Sequence, residues 1–175
     1  MEETDVLVNR VAQAGLLTLD LEELYVQGPR LSIDLKYWLY EGLILREKDY
    51  REKIAQHGWS RYEGSIVSIF CTEEDTLIPA WAYMILMAKL SPFVRFAWVG
   101  EPEQTEAALF AVELSRLDVI AYSGARMVIK GCSKFPVPSA AYAEAMRLLT
   151  PIAQSVMYGE PCSSVPVYKA KRVVS

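Results

Sequence analysis

Three cysteines, at positions 71, 132 and 162, are the residues best able to do chemistry in this chain of 175 residues. Thiolates are soft ligands that select zinc and iron-sulfur clusters over magnesium or calcium, and they are also nucleophiles. The spacing is wide, with 60 residues between Cys71 and Cys132 and 29 between Cys132 and Cys162. No compact finger motif gathers them, so the fold must. Each cysteine stands just past an apolar run that reads as a strand, at 65–70, 126–130 and 155–158. Strands separated by helices are expected to run parallel, which brings all three thiols out on one edge of one sheet, where open α/β folds place their sites. The metal-ligand set on this reading is Cys71, Cys132 and Cys162. A fourth donor would come from Asp75, Glu74, Glu160, the single histidine His57, water or a partner protein.

Other chemistry is open to the same residues. Cys132 precedes a helix that begins near Ser139, and a helix amino end presents unpaired N–H groups that favour a thiolate or hold an anion. Lys130 and Lys134 add to that field, so Ser139 and Lys134 are candidate anion-binding residues and Cys132 a candidate persulfide-carrying nucleophile. Six residues lie between Cys132 and Ser139, which limits the reach of the dipole. The plain alternative is that free cysteines act as small buried hydrophobes. His57, before Gly58 at the end of a charged helix, suits the negative helix end. The carboxylates Glu73, Glu74 and Asp75 read as a solvated loop at a helix start, and Trp81, Tyr83, Met84 and Met87 as core or a subunit contact.

The elements that must position these residues fall into two styles. In residues 1–60, a short helix is expected at 6–14. Alternation of leucines with polar residues at 17–21 and of apolar with polar residues at 31–35 predicts two strands, with Gly28 and Pro29 as the turn of an antiparallel pair. The charged stretch 46–57 predicts a surface helix stopped by Gly58. From residue 64 the pattern becomes β-α-β-α-β-α-β to about 160, with strands at 65–70, 93–99, 126–130 and 155–158. The helices between them are capped near Thr76, opened by Glu101, Glu103 and Glu106, and capped by Ser139. Residues 161–175 are a cysteine loop and tail. No internal repeat or low-complexity segment is apparent. The expected fold is one α/β domain over 1–175, three-layered around a mostly parallel sheet, with an amino-terminal α+β addition.

Hydrophobic residues at 52% supply a core, and a formal charge of -4 argues against nucleic acid, whose binders cluster Lys and Arg. The start, MEETDVLVNR, is acidic where a signal peptide needs a basic end and an apolar run, so a cytoplasmic location is expected. The most apolar stretch, 77–90, is too short to cross a bilayer. Three cysteines in a reducing compartment are free thiols, ligands or nucleophiles rather than bridges.

The segments GCSKFPVP with SAAYAEAM, GEPCSSVPVYK, CTEEDTLIPAWAYM and DLKYWLYEGLILREKDYRE together resemble the bacterial domain-of-unknown-function family 2480 over nearly the whole chain. The resemblance brings an association with genes for iron-sulfur cluster assembly and assigns no catalytic residue. Three readings result. The first is an accessory protein binding zinc or an iron-sulfur cluster through Cys71, Cys132 and Cys162, with cluster-assembly proteins or a second copy as partners. The second is a sulfurtransferase-like enzyme acting through Cys132. The third is a non-catalytic interaction module with structural cysteines.

Overall fold

The structure, a computed structural model, describes residues 10–11, 15–73, 75–131, 133–160 and 163–171. In chain order the strands are β1 (Arg10–Val11), β2 (Leu16–Asp20), β3 (Arg30–Asp34), β4 (Ile66–Phe70), β5 (Phe96–Val99), β6 (Arg126–Lys130), β7 (Ser155–Tyr158) and β8 (Val165–Lys169). The helices are α1 (Glu47–Gln56), α2 (Ala80–Leu90), α3 (Pro102–Ser115) and α4 (Ser139–Leu149), with 3-10 turns at Leu21–Leu24, Leu35–Trp38, Trp59–Tyr62 and Val119–Tyr122.

The protein is α/β and rich in parallel strands, as the alternation of apolar runs with helical periods predicts. The strands form two sheets rather than one: β3-β4-β5, and β1-β2-β6-β7-β8. The first belongs to a compact unit of residues 26–109, the second to a unit of residues 1–25 and 110–175. The expected hairpin does not form. β2 pairs in parallel with β6, and β3 in parallel with β4. Alternation correctly marks both segments as strands, but their buried faces are completed by strands far along the chain. Leu19, at 5% exposure, and Leu21, fully buried, pack with Met127 and Ile129, while Ile33 and Leu35 pack with Val67 and Ile69. Of the helix expected at 6–14, residues 10 and 11 form β1, antiparallel to β2, and the rest lies outside the described residues. The tail after 162 contributes β8, antiparallel to β7.

The two units repeat one another, against the expectation of no repeat. Residues 16–25, LLTLDLEELY, match 30–39, RLSIDLKYWL; YEGSI at 62–66 matches YSGAR at 122–126; PAWAY at 79–83 matches PSAAY at 138–142; and GEP recurs at 100–102 and 159–161. The registers agree position by position: Arg30 opposes Ile66 as Leu16 opposes Arg126, and Ile66 opposes Phe96 as Arg126 opposes Ser155. Backbone bonds recur too. Gly64 N–H donates to the Phe93 carbonyl and Gly124 N–H to the Ile152 carbonyl, each at 2.8 Å. At the helix ends, the hydroxyls of Ser91 and Thr150 donate to the carbonyls of Met87 and Met146, each at 2.6 Å.

Each repeat therefore supplies one β-α-β crossover, β4-α2-β5 or β6-α4-β7, plus a parallel strand from the amino-terminal region. Both crossover helices start behind a proline at the N-cap, Pro79 or Pro138, with no side-chain capping bond. Thr76 and Ser139 are thus not caps. Thr76 Oγ1 instead donates to the Leu43 carbonyl at 3.1 Å, and the proline's fixed φ suffices to launch the helix. The helix at 47–56 is less of a surface element than its charges suggest, because Tyr50 is fully buried and donates its hydroxyl to the Ala82 carbonyl at 2.8 Å.

The repeat yields a direct test. Leu90 and Leu149 end the equivalent helices at 0% and 1% exposure. Truncating either to alanine is expected to cost about 3 kcal/mol, the usual loss for a buried leucine that leaves a cavity. Denaturant titration of the two variants checks that the two costs agree within about 1 kcal/mol.

Candidate functional site

The carboxyl ends of β2, β6 and β7 converge on one edge of the five-stranded sheet. Asp20, the last residue of β2, caps the 3-10 turn that follows it by accepting from the Glu22 N–H at 3.0 Å. Its other oxygen meets Lys130, the last residue of β6, at 3.0 Å. The Lys130 ammonium is held above its ordinary range by the Asp20 hydrogen bond and charge, helped by Glu160 and Glu22. Glu22 reaches the loop after β6. Its carboxylate accepts the Ser133 hydroxyl at 2.8 Å, the Lys134 N–H at 2.8 Å, the Phe135 N–H at 3.4 Å and also the Ser133 N–H.

That loop is held on both sides. Phe135 stacks on Tyr25, centroids 4.4 Å apart with the planes 3° from parallel. Gly131 is packed so closely that a Cβ there would lie 2.8 Å from the Tyr142 hydroxyl and 3.2 Å from Val137. Behind the loop lies a cleft of about 470 Å³ whose walls include Ile129, Val137, Ser139, Tyr142, Met157 and Tyr158. Its lining is mainly aliphatic and aromatic, as ligand clefts usually are.

The other repeat places a second cleft, of about 390 Å³, in the same position. Ile69, Ile78, Tyr83 and Val99 line it where Ile129, Val137, Tyr142 and Tyr158 line the first. It is more polar, with Cys71, Glu73, Glu101 and Gln104 at its rim. Here the loop is tied differently: Asp34 accepts from the Thr72 N–H at 3.2 Å and the Thr72 hydroxyl at 2.8 Å, and Lys36 pairs with Glu73 at 2.9 Å. Lys36 stands where the first repeat has Glu22, so the charge of the clasp is inverted.

Of the residues singled out from the sequence, Cys71 is half-buried, its sulfur 3.9 Å from the Glu73 carbonyl. Cys132, Cys162 and Glu74 lie outside the described residues. The strands that precede the cysteines do not share a sheet: β4, before Cys71, is in the three-stranded sheet, and β6 and β7 are neighbours in the five-stranded one. Ile129 opposes Tyr158 in that pair, so β6 and β7 end together. Asp75 and Glu160 are exposed loop residues, Ser139 opens α4 at the first cleft, and Lys134 contributes its backbone N–H to the Glu22 clasp. His57 sits elsewhere, among Trp38, Trp59 and Tyr62, with Nε2 3.0 Å from the Tyr62 hydroxyl. Desolvation, and then the charge of Arg61, lower its pKa, so the ring is a neutral partner in an aromatic cluster. Among the described residues, no three His, Cys, Asp or Glu side chains gather as a metal site. No described helix is long and apolar enough to cross a membrane.

Asp20 and Glu22 were not found from the sequence. The signal for them is the shared pattern TLDLE and SIDLK, visible only once the repeat is recognised.

Residues 5–170 match the family described as a protein of unknown function, DUF2480. The chain belongs to that family. No curated protein and no solved structure matches it. The site of this DUF2480 member must therefore be read from its own geometry.

One consequence concerns pH. Burial opposes ionisation of Glu22, but the N–H groups of Lys134 and Ser133, the Ser133 hydroxyl and the Phe135 N–H outweigh it and bring its pKa from 4.5 to about 2. A carboxyl whose pKa falls on folding stabilises the fold above its unfolded pKa, and that contribution disappears as pH falls through the folded one. Wild-type stability is thus expected to drop between pH 4.5 and about 2. Glu22→Gln should lack this part of the slope, and denaturant midpoints measured across the window check it.

Proposed function

We propose that this protein is a cytoplasmic accessory factor that binds zinc or an iron-sulfur cluster through Cys132 and Cys162, working with cluster-assembly proteins. The observation that carries the reading is that β6 and β7 are adjacent and parallel, with Ile129 opposite Tyr158. Cys132 and Cys162 follow those paired residues by three and four positions. The ends of β6 and β7, from which the chain runs on to those two cysteines, are neighbours on one sheet edge, which supports the reading. Glu160, two residues before Cys162 and close enough to act on Lys130, is a described carboxylate that can serve as an oxygen donor. Two thiolates and one carboxylate leave a position for water, a partner or a second copy, which suits transient holding rather than a closed structural site. Cys71, after a strand of the other sheet, is left out of the set. Metal analysis and an absorption spectrum of anaerobically purified protein test the reading. Protein that stays colourless and takes up neither zinc nor iron sinks it.

A second reading, sulfur transfer through a Cys132 persulfide, is supported by the N–H groups of residues 133–135, which follow Cys132 directly and would favour a thiolate once the Glu22 carboxylate they hold moves away. Alkylation rates against pH separate the two. A Cys132 thiol reacting no faster at neutral pH than a free thiol removes this one.

A further inference from the structure

The loop after β6 is built around an anion. The N–H groups of Ser133, Lys134 and Phe135 and the Ser133 hydroxyl all point at one carboxylate, that of Glu22. Successive N–H groups aimed into one concavity form an anion-binding nest. The usual explanation for such bonds is that they hold a loop in shape.

The second repeat argues against that explanation. There the Asp34 carboxylate accepts one loop N–H and one hydroxyl, both from Thr72, and Lys36 pairs with Glu73; among the described residues no run of N–H groups converges on one carboxylate. One N–H group on a carboxylate serves that loop, where this one turns three on Glu22. The nest does not need Glu22 for its shape, because the Tyr25 stack and the packing of Gly131 against Tyr142 and Val137 secure the loop at both ends.

We propose that residues 133–135 form a binding site for a tetrahedral oxyanion of the phosphate or sulfate class, which the Glu22 carboxylate fills in the free protein and the ligand displaces. Glu22 is half-buried, but Ser133 and Lys134 are exposed, so a solute can reach the nest without opening the core. A tetrahedral dianion offers more acceptor oxygens and more charge than a carboxylate, and charge-assisted N–H bonds are the strong ones. Lys130 is paired with Asp20 at 3.0 Å and also feels Glu160 and Glu22, so its charge is largely committed and the loop N–H groups carry the binding. This site rests on no property of the cysteines, so it stands or falls apart from the metal reading.

The test is an amide NMR titration at fixed ionic strength, with inorganic phosphate, sulfate and acetate added to wild type, Glu22→Ala and Glu23→Ala. Vacating the nest in Glu22→Ala is expected to give saturable shifts of the 133–135 amides with phosphate or sulfate, at an affinity at least about tenfold above wild type. Acetate should shift them weakly, and whether phosphate or sulfate binds tighter names the ligand class. Glu23→Ala removes the same charge from the same turn without emptying the nest and should behave as wild type. Three outcomes overturn the proposal: no saturable shift in folded Glu22→Ala, equal gains in both variants, or a Glu22→Ala chain that does not fold, which would make the carboxylate a structural staple.

Discussion

Serine at Cys132 or at Cys162 is expected to lower the metal content of anaerobically purified protein at least about tenfold, because removing one thiolate from a small ligand set removes a large share of its affinity. Serine at Cys71 should leave the content unchanged. The contrast follows from the sheets. β6 and β7 are neighbours that end together, whereas β4 belongs to a different sheet in a different unit. Elemental analysis of the three variants, with circular dichroism to show that each is folded, checks the result. Equal loss in all three would restore a three-cysteine centre, and no loss in any would leave the thiols without a metal role.

Alanine at Gly28 is expected to destabilise the protein by about 3 kcal/mol or more, from a disallowed backbone angle and a collision that no side chain can relieve. Gly28 has φ near +145°, and a Cβ built on it would lie 2.8 Å from the Gly64 carbonyl oxygen. That oxygen is main chain, so the strands themselves would have to part. The same few residues set the start of β3 against β4, through the 2.8 Å bond from the Ile66 N–H to the Pro29 carbonyl and the pairing of Arg30 with Ile66. Gly42, with φ of +72° and no neighbour within 4 Å of its added Cβ, is the control. Alanine there should cost only about 1–2 kcal/mol, for the left-handed backbone alone. Thermal or denaturant unfolding of the two variants measures the difference.

Local elements were legible in the sequence because local physics decides them. The run IVSIF reads as a doubly covered strand, and four of its five residues are buried. Proline before an apolar helical period reads as a helix start, and both crossover helices begin that way. Partnership between elements was not legible. Residues 17–21 and 31–35 alternate alike and flank a Gly-Pro turn, which is all a hairpin needs locally. Their choice of β6 and β4 is made by burial over a long separation.

The repeat was hidden for a related reason. Its matching parts are offset by 14 residues at 16–39 but by 60 and then 59 later in the chain, so no fixed period runs through it. The cysteines follow neither offset, since Cys71 directly follows β4 whereas Cys132 comes two residues after β6. The Glu22 clasp joins residues 111 or more apart, on a 3-10 turn whose sequence announces only its Asp20 cap.

The interleaved order of the strands sets a timetable for synthesis. The three-stranded sheet is drawn entirely from residues 26–109 and can close as soon as that stretch leaves the ribosome. β2 emerges early but pairs with β6, which begins at Arg126, so at about 5–20 residues per second it waits on the order of 5–20 s for its neighbour. During that interval the newborn chain displays a strand bearing Leu17 and Leu19 with only β1 as a neighbour, its other edge exposed and sticky, of the kind chaperones shield. The half of the protein that carries Cys132, Cys162 and the Glu22 nest is thereby the last to be completed.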